Sequence, residues 1–388
     1  MGINKIENPP LMVAHLAGFA APYGGNFIAS LSALDQECSR NNARQIWVFP
    51  KDASNKDWCK ALVGSGRSVY FFPSRKCFFS LVIFLMDLAA KEKIDVFHSH
   101  FSEYDIVAWV ASVFLRLRFR RVVVIWHMHS DFPLKWNFLR RLKNFLKYKC
   151  MGRFCFSVAA SDYLYEKLRA LGFPRERLIA VSNGVDLQRA VVTSRSKAQV
   201  LRDLNIPDDK VLILMFGWAP IIKGVDVAIE AVLSIVRSQS DVVLGIVGTE
   251  DLSCYVNNYS KGNIPAWLYL IPPTETPADY YQCAAIFLSA SRHEGFSYAL
   301  CEAILNKCRV IVSDIPGVQW AKDFRGVKFF KSADVQDLEK RILGTLSLSD
   351  EDVRTDLMDS CALVKKDFGL ERWCAEVFAF YRRCLNSL

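Results

Sequence analysis

Two carboxylates eight residues apart mark the stretch of this chain that is best suited to chemistry. Glu294 lies in a predicted loop, and Glu302 lies in the helix predicted from Tyr298 to Leu305. An apolar run at 284–288 precedes the loop, so the segment reads strand, loop, helix. Ser297 is the predicted cap of that helix, whose unpaired N–H groups and positive dipole end favour a phosphate. A phosphate alone does not require the two acids, but a sugar beside it would offer them hydroxyl groups.

Two other predicted loops, each between a strand and a helix, hold residues that suit a phosphate ligand. Gly24 and Gly25 follow the apolar run 11–16, and such a pair lets the backbone approach a ligand closely. This loop lacks the Gly-x-Gly-x-x-Gly pattern, so a dinucleotide cofactor gets little support. Trp218 and Lys223 lie in a later loop of the same kind.

Four histidines stand at the predicted ends of two strands. His98 and His100 end one strand, and His127 and His129 follow the apolar run 122–126. Ligands of open α/β sheets bind beyond the carboxyl ends of the strands, so each imidazole could face a ligand. A structural role is the more common one for a single histidine, and it is our interpretation of His98, His100 and His129.

The pattern around these residues indicates an α/β fold. Short apolar strands alternate with longer helices along the chain, which is typical of parallel βαβ units. With 388 residues and 52% hydrophobic residues, the chain can bury two cores of its own. The polar, poorly patterned segment 190–209 is the predicted place of the boundary between two domains.

This arrangement resembles the retaining GT-B glycosyltransferases, most closely the large family 4. The resemblance covers nearly the whole chain and is most specific between Gly217 and Glu302, where Glu-x7-Glu is the family signature. The Gly-Gly loop and the Asn-Gly-Val-Asp at 183–186 also match the family pattern. The resemblance implies two Rossmann-like domains facing across a cleft. They are an acceptor domain at 1–190 and a nucleotide-sugar donor domain at 191–369, with a C-terminal helix at 370–388 that returns to the first domain.

The resemblance also implies roles for single residues. Glu294 would contact the transferred sugar, and Glu302 would bond the ribose hydroxyls of the nucleotide. His127 would contact the sugar as well, with His129 as the alternative if its strand ends later. Lys223 would neutralise the leaving diphosphate. The other donor-binding candidates are Gly24 and Gly25, Trp218, Ile271 beside the base, Arg292, and Gly295, Phe296 and Ser297, whose backbone N–H groups would bind the diphosphate.

One position departs from the family pattern. Trp218 stands where the family usually has an arginine. Loss of that cation should weaken stabilisation of the leaving group, because negative charge develops there in the transition state. Two hypotheses remain open: Trp218 stacks on a ring of the donor, or Arg292 supplies the missing charge.

The formal charge of +9 is concentrated in one region, since residues 116–153 contain eleven Lys and Arg and a single acid, Asp131. Within it, residues 132–149 form a predicted amphipathic helix with aromatic residues on its apolar face. Its basic face is formed by Arg140, Arg141, Lys143 and Lys147. Such a helix suits an anionic membrane surface, and an ordinary domain helix with a solvated basic face is the alternative.

Several classes of protein are not expected. The twelve cysteines include no Cys-x-x-Cys pair and no histidine at zinc spacing, so we predict neither a metal site nor a disulfide framework. The amino-terminal residues lack a signal pattern, and no apolar run is long enough for a membrane span. Charge alone would allow nucleic acid, but no recognised module accompanies it. We therefore predict a cytoplasmic protein without cofactor or nucleic-acid partner, peripheral to the inner face of the cell membrane.

The predicted function is that of a metal-independent retaining glycosyltransferase. It would move a hexosyl unit from a nucleotide sugar, with UDP favoured, to a lipid-linked or polysaccharide acceptor. Retaining members of the family are thought to let the leaving phosphate itself deprotonate the acceptor. The alternatives are a GT-B nucleotide-sugar epimerase, an inverting transferase and a non-catalytic nucleotide-sugar-binding protein.

Overall fold

The computed structural model describes residues 9–73, 77–131 and 138–387. Its contacts divide the chain into two compact units, Met1–Gly184 together with Glu371–Leu388, and Val185–Leu370. We call them the first unit and the second unit, and each is built around its own sheet. Within the described ranges, no helix combines the length and the apolar character that a membrane span requires.

The first unit contains a parallel sheet of seven strands in the order β3-β2-β1-β4-β5-β6-β7. The strands are β1 (Leu11–Ala17), β2 (Ala43–Pro50), β3 (Val69–Phe72), β4 (Val96–His100), β5 (Val123–Met128), β6 (Phe156–Ala159) and β7 (Leu178–Ala180). The helices between them are α1 (Gly25–Arg40), α2 (Asp57–Gly64), α3 (Phe78–Glu92), α4 (Asp105–Leu117), α5 (Phe138–Phe145) and α6 (Asp162–Ala170). A π-helical segment, Leu146–Cys150, continues α5.

The second unit contains a parallel sheet of six strands in the order β10-β9-β8-β11-β12-β13. The strands are β8 (Val211–Phe216), β9 (Val242–Val247), β10 (Leu268–Ile271), β11 (Ile286–Ser289), β12 (Arg309–Asp314) and β13 (Val327–Lys331). The helices are α7 (Lys197–Asp203), α8 (Pro220–Lys223), α9 (Val225–Val236), α10 (Glu250–Tyr259), α11 (Ala278–Tyr281), α12 (Tyr298–Leu305), α13 (Val335–Leu346) and α14 (Asp350–Asp367).

The last helix, α15 (Leu370–Asn386), packs on the sheet of the first unit. It buries Trp373, Val377 and Tyr381 in one core with Val13 and Ile125 of the sheet. Helices on the faces of a parallel sheet leave little of the strands exposed. All six residues of β5 are accordingly buried. Their mostly apolar side chains form the run from which the strand is predicted.

The prediction of two Rossmann-like domains is confirmed. Both units have parallel strands joined through helices, and in each sheet the first six strands follow the spatial order 3-2-1-4-5-6. This doubly wound order reverses direction between the first and fourth strands of the unit. Ligands of such sheets bind beyond the carboxyl ends of the strands at that point.

One predicted strand end was wrong. β4 ends at His100, as the sequence predicts, but β5 runs through Met128, so His127 lies inside its strand and His129, the alternative for a later strand end, directly follows it. The apolar pattern stops before His127 because the imidazole interrupts it. The hydrogen bonds between the strands continue because they depend on the backbone and not on the side chains.

The predicted helix at 132–149 differs from the structure in two ways. Its part at 132–137 lies outside the described residues, and from Leu146 the chain is π-helical rather than α-helical. A projection drawn at 3.6 residues per turn does not apply to a π turn. The placement of Lys147 on the basic outer face was therefore wrong, because Lys147 is buried and lies 2.6 Å from a carboxylate oxygen of Asp105.

Candidate functional site

The point where strand order reverses in the second sheet carries the strongest candidate residues. β8 and β11 are neighbours there. Glu294 lies in the loop after β11, whereas Lys223 is the last residue of the short helix α8 and not a loop residue as predicted. The Lys223 Nζ lies 2.5 Å from the Glu294 Oε1, and the Ser291 hydroxyl donates to the same oxygen at 2.8 Å. A cation and a carboxylate, 71 residues apart in the chain, thus meet at the carboxyl edge of the sheet.

The Glu294 loop and α8 are locked together by their backbones. The Arg292 N–H donates to the carbonyl of Ile222 at 2.7 Å. Gly224, which ends α8, has a φ of +67°, and a Cβ there would lie 2.1 Å from the carbonyl oxygen of Ala290. Only glycine fits such an approach without a shift of the backbone. The position of Lys223 relative to Glu294 is therefore set by main-chain contacts on both sides.

The loop from Glu294 to Ser297 is also supported from behind. A Cβ at Gly317 would lie 1.9 Å from the carbonyl oxygen of Glu294, so only a glycine can stand there. The Phe296 ring is buried and stacks with Trp320 at 5.5 Å and contacts Phe368 at 5.4 Å between ring centroids. The side chain of Phe296 thus belongs to the core, and only its backbone remains as a candidate for binding a ligand.

The start of α12 has the geometry that the sequence predicts. Ser297 caps the helix, and its hydroxyl oxygen accepts from the Leu300 N–H at 3.3 Å. Ser297 is buried and extended, so the first turn begins directly behind the Glu294 loop. The positive end of a helix dipole favours anions, so the start of α12 is a candidate place for a diphosphate.

Glu302 is buried one turn further into α12, and two residues hold its carboxylate. Arg189 donates to Oε1 at 3.0 Å, and the Tyr281 hydroxyl donates to Oε2 at 3.2 Å. An ionised carboxylate only accepts hydrogen bonds, so its chemistry suits hydroxyl groups of a ligand. Sequence analysis missed Arg189 and Tyr281, although Arg189 follows the Asn-Gly-Val-Asp motif closely.

The two residues considered for the missing cation are placed differently. The Trp218 side chain is 47% exposed, with its ring 5.7 Å from that of Phe216. Arg292 forms a two-fold hydrogen bond with the carboxylate of Asp226, at 2.8 and 2.6 Å, and this bond lowers the pKa of Asp226. The charge of Arg292 is thus already balanced where it lies, whereas Trp218 is nearly half exposed.

The remaining donor-binding candidates lie at other strand ends. Ile271 ends β10; its side chain is buried, and its carbonyl accepts from the Gly248 N–H at 3.0 Å. In the first unit, Gly24 caps α1 and Gly25 opens it with a φ of +57°. The structure therefore brings Lys223, Glu294 and the start of α12 together in the second unit, and leaves the Gly-Gly loop in the first.

Five histidines gather on one face of the first sheet at its carboxyl end. Strand pairing places His15 beside His98 and His100 beside His127, and the rings contact one another across the strands. The five are His15 on β1, His98 and His100 on β4, His127 on β5 and His129 just after it. Two His-x-His repeats carry the sequence signal, since residues two apart on a strand share a face. His15 was missed because it stands alone.

A chain of hydrogen bonds links α15 to the end of β5. The Tyr381 hydroxyl lies 2.6 Å from the His98 Nδ1, and the His98 Nε2 lies 3.2 Å from the His127 Nδ1. The outer nitrogen of His127, Nε2, is buried and has no hydrogen-bond partner in the described part of the chain. We call this the tyrosine–histidine chain. In this chain His98 connects Tyr381 to His127, a position that residue spacing alone does not indicate.

Burial keeps all five imidazoles neutral. It lowers the pKa of His15 and of His129 to about 3. It also lowers the pKa of His98, His100 and His127 well below the ordinary value, and neighbouring imidazoles add to the effect. Each ring therefore carries one N–H and one bare nitrogen at neutral pH.

Neutral imidazoles are also ligands for transition metals. Two groups of three, His15 with His98 and His100, and His100 with His127 and His129, place ring nitrogens within 4.8 Å of one another. His100 belongs to both, and its two nitrogens already face His15 at 2.9 Å and His129 at 3.0 Å. A metal would have to replace these hydrogen bonds, and the absence of a metal stays a prediction.

Two family models match the chain. Residues 50–189 match the model described as Glycosyltransferase Family 4, and residues 196–357 match the model described as Glycosyl transferases group 1. The second range contains Lys223, Glu294 and Glu302. A search of curated proteins found no match.

Solved structures match over nearly the full length. A glycosyltransferase from Rickettsia africae ESF-5 has 14% identity and a TM-score of 0.80, over 97% of this chain and 99% of that one. Anabaena Alr3699/HepE in complex with UDP and glucose has 15% identity and a TM-score of 0.79, over 97% and 100%. UDP-GlcNAc 2-epimerase from Neisseria meningitidis bound to UDP-GlcNAc has 14% identity and a TM-score of 0.60, over 96% and 100%. At these sequence identities the structural similarity shows the fold alone.

Proposed function

This chain is a glycosyltransferase with the GT-B fold, and we propose that it transfers a hexosyl unit from a nucleotide sugar with retention of configuration. The acceptor in this proposal is a lipid-linked or polysaccharide chain. The observation that carries the proposal is the pairing of Lys223 with Glu294 beside the start of α12. That pairing places a cation and a carboxylate beside the positive end of the α12 dipole.

The leaving nucleoside diphosphate gains negative charge as the bond to the sugar breaks. In the proposed reaction Lys223 and the backbone N–H groups of Gly295–Ser297 stabilise that charge. Groups that are already in position cost no reorganisation during the reaction, which is why such donors account for a large part of catalysis. Trp218 contributes no charge here, and its exposed side chain supports stacking on a ring of the donor.

The sugar and the ribose are held by the two acids. Glu294 accepts from hydroxyls of the transferred sugar, and Glu302 accepts from the ribose hydroxyls while Arg189 and Tyr281 keep its carboxylate in place. His127 in the first unit contacts the sugar. The leaving phosphate takes the proton of the acceptor hydroxyl, so the proposed reaction uses no metal and no further base.

UDP is the nucleotide that the proposal favours. Alr3699/HepE, with a TM-score near 0.8, forms complexes with UDP and with UDP-glucose. The epimerase alternative is less well supported, because the epimerase structures have TM-scores of 0.60 and 0.62. The non-catalytic alternative is a protein that binds nucleotide sugars without transferring the sugar. The exposed Trp218, which stands in place of a cation, is the observation that favours it.

A ligand screen tests the proposal. A UDP-sugar at 100 times its Kd should stabilise the protein by about 2.7 kcal/mol, seen as a rise of Tm in a thermal-shift assay. Uridine, which lacks the diphosphate, is the control and should give a much smaller rise. Incubation with acceptors should then yield a product whose anomeric configuration, read by NMR, equals that of the donor.

Other results of this screen would contradict the proposal. Formation of an epimer without acceptor would indicate the epimerase, and inversion at the anomeric carbon would indicate an inverting transferase. Binding without transfer across a broad acceptor panel would indicate the non-catalytic protein.

We also propose that the first unit sits peripherally on the cytoplasmic face of the membrane. Leu139, Leu142, Phe145 and Leu146 on α5 and the π-helical segment have exposed side chains, and Arg141 and Lys143 beside them are exposed too. A cavity of about 210 Å³ is lined by further apolar and basic residues, including Val113, Arg116, Arg121 and Phe154. Apolar side chains can enter the headgroup region while basic ones meet anionic lipids.

Flotation with lipid vesicles tests this placement. Phe145→Ser should lower the partition constant on vesicles with anionic lipid about fivefold, because roughly 1 kcal/mol of apolar burial is lost from a half-exposed ring. Met358→Ser in α14 is the matched control, since Met358 is 49% exposed and Phe145 47%. Equal flotation of both variants, or no preference of the unaltered protein for anionic vesicles, would contradict a membrane role for α5.

A further inference from the structure

The tyrosine–histidine chain poses a question of proton position. Tyr381, His98 and His127 are all buried, and the chain has two contacts, each of which holds one shared proton. Neutral imidazoles have one N–H each, and burial also raises the pKa of Tyr381, so the phenol keeps its hydrogen. The three hydrogens can therefore be arranged in only two ways. The hydrogen bonds of the tyrosine–histidine chain point from Tyr381 toward His127 in one arrangement and from His127 toward Tyr381 in the other.

In the first arrangement Tyr381 donates to the His98 Nδ1, His98 donates from Nε2 to the His127 Nδ1, and His127 carries its hydrogen on Nε2. In the second arrangement every donor is reversed. The His127 Nε2 is then bare, and the Tyr381 hydroxyl hydrogen has no acceptor, because its only hydrogen bond among the described residues is the one to His98. The second arrangement thus leaves an unpaired O–H inside the core, next to α15.

Two properties of the Tyr381–His98 contact select the first arrangement. The distance of 2.6 Å suits a hydroxyl donor and is shorter than the range of about 2.7–3.2 Å usual for an N–H donating to oxygen. An imidazole nitrogen is also a much stronger base than a phenol oxygen, while a phenol is a stronger acid than a neutral imidazole N–H. Both facts place the hydrogen on Tyr381 and direct it toward His98.

We propose that Tyr381 fixes the tautomer of His127 through His98, so that His127 presents an Nε2–H donor to an oxygen of the transferred sugar. The inference rests on the role of His127 in the proposed function and adds Tyr381 and His98 as positioning residues. The His127 Nε2 is buried without a partner among the described residues. An unpaired buried donor is unfavourable until an acceptor reaches it. The ligand group that fits is a hydroxyl, carbonyl or carboxylate oxygen.

The tautomers can be read directly by NMR of the full chain labelled with ¹⁵N-histidine, without any ligand. Long-range proton–nitrogen correlations distinguish a protonated from a bare ring nitrogen, and single histidine-to-asparagine variants assign the signals. The expected result is that His98 and His127 are both protonated at Nε2. Protonation of His127 at Nδ1 would overturn the proposal. This result does not depend on which substrate the protein uses.

Tyr381→Phe supplies the second test. Without the phenol hydroxyl of Tyr381, nothing selects the direction of the hydrogen bond between His98 and His127. The His127 signals should therefore change to a mixture of both tautomers. The kcat/KM for transfer should fall about twofold at equal tautomer populations, because only the fraction protonated at Nε2 can donate to the sugar. Tyr104→Phe is the matched control: Tyr104 is buried in the same unit and stacks on Phe72 with centroids 3.9 Å apart, and it is not a member of the tyrosine–histidine chain.

The outcomes separate this inference from the proposed function. An unchanged His127 tautomer in Tyr381→Phe, or an equal loss of activity in Tyr104→Phe, would overturn the role of Tyr381. If Tyr381→Phe does not fold, the tautomers of the unaltered protein still decide the matter. Absence of any sugar transfer, with His127 protonated at Nε2, would contradict the proposed function and leave the arrangement of the chain standing.

Discussion

Glu294→Gln should lower kcat for sugar transfer by a factor of about 10² to 10³, the loss typical for one group that acts in the transition state. The amide keeps the shape of the side chain but removes the charge that holds Lys223 and that, in the proposed function, holds the sugar hydroxyls. The Kd for UDP should stay the same or become slightly lower, because a negative charge beside the diphosphate has been removed. Steady-state kinetics and calorimetric titration with UDP measure the two quantities separately.

Glu302→Gln is the matched control for this change, because it alters the other acid of the pair. It should weaken UDP binding by roughly tenfold, since hydrogen bonds to a charged group contribute about 1.5–3 kcal/mol. Its kcat at saturating donor should change much less. An equal loss of kcat and of UDP affinity in both variants would contradict the division of roles between the two acids.

The second large effect concerns stability. Lys147→Met should destabilise the protein by about 3–5 kcal/mol, because it leaves the carboxylate of Asp105 buried without its cation. The two side chains are only 9% and 1% exposed, and the ammonium also lies over the rings of Trp126 and Tyr148 at 5.3 and 5.2 Å. In thermal unfolding followed by near-UV circular dichroism, we expect Tm to fall by roughly 10 °C.

Two further variants test the cause of that loss. Lys143→Met changes an exposed lysine of α5 and should stay within about 0.5 kcal/mol of the unaltered protein. Combining Lys147→Met with Asp105→Asn removes the unpaired charge and should recover a large part of the stability. A Tm of Lys147→Met that matched that of Lys143→Met would show that the ion pair contributes nothing measurable.

Much of the fold follows from local patterns. Runs such as Val211–Phe216 predict buried strands because a parallel sheet covered on both faces is built mainly from apolar side chains. The cap at Ser297 was predicted from residue type and position, and the structure confirms it. Glu294 and Lys223 were singled out from predicted loops, and the segments that hold them follow strands that are neighbours at the reversal point.

Other features could not be predicted because they depend on contacts between distant residues. The partner of His98 is Tyr381, 283 positions later, and the carboxylate of Glu302 is held by Arg189, 113 positions earlier. Lys147 was placed on the outer face because a helical projection cannot anticipate a π turn or a buried Asp105. Arg292 shows the same limit, since spacing alone does not reveal that Asp226 already binds its guanidinium.

The return of α15 to the first sheet has a consequence for biosynthesis. Residues 371–387 leave the ribosome only after the whole second unit has been translated. Until then Val13, Ile125 and the other core residues beneath α15 lack their covering layer. We therefore expect the second unit to reach its native state before the first one does, although the first is made earlier. During that delay the nascent first unit exposes apolar surface of the kind that chaperones bind.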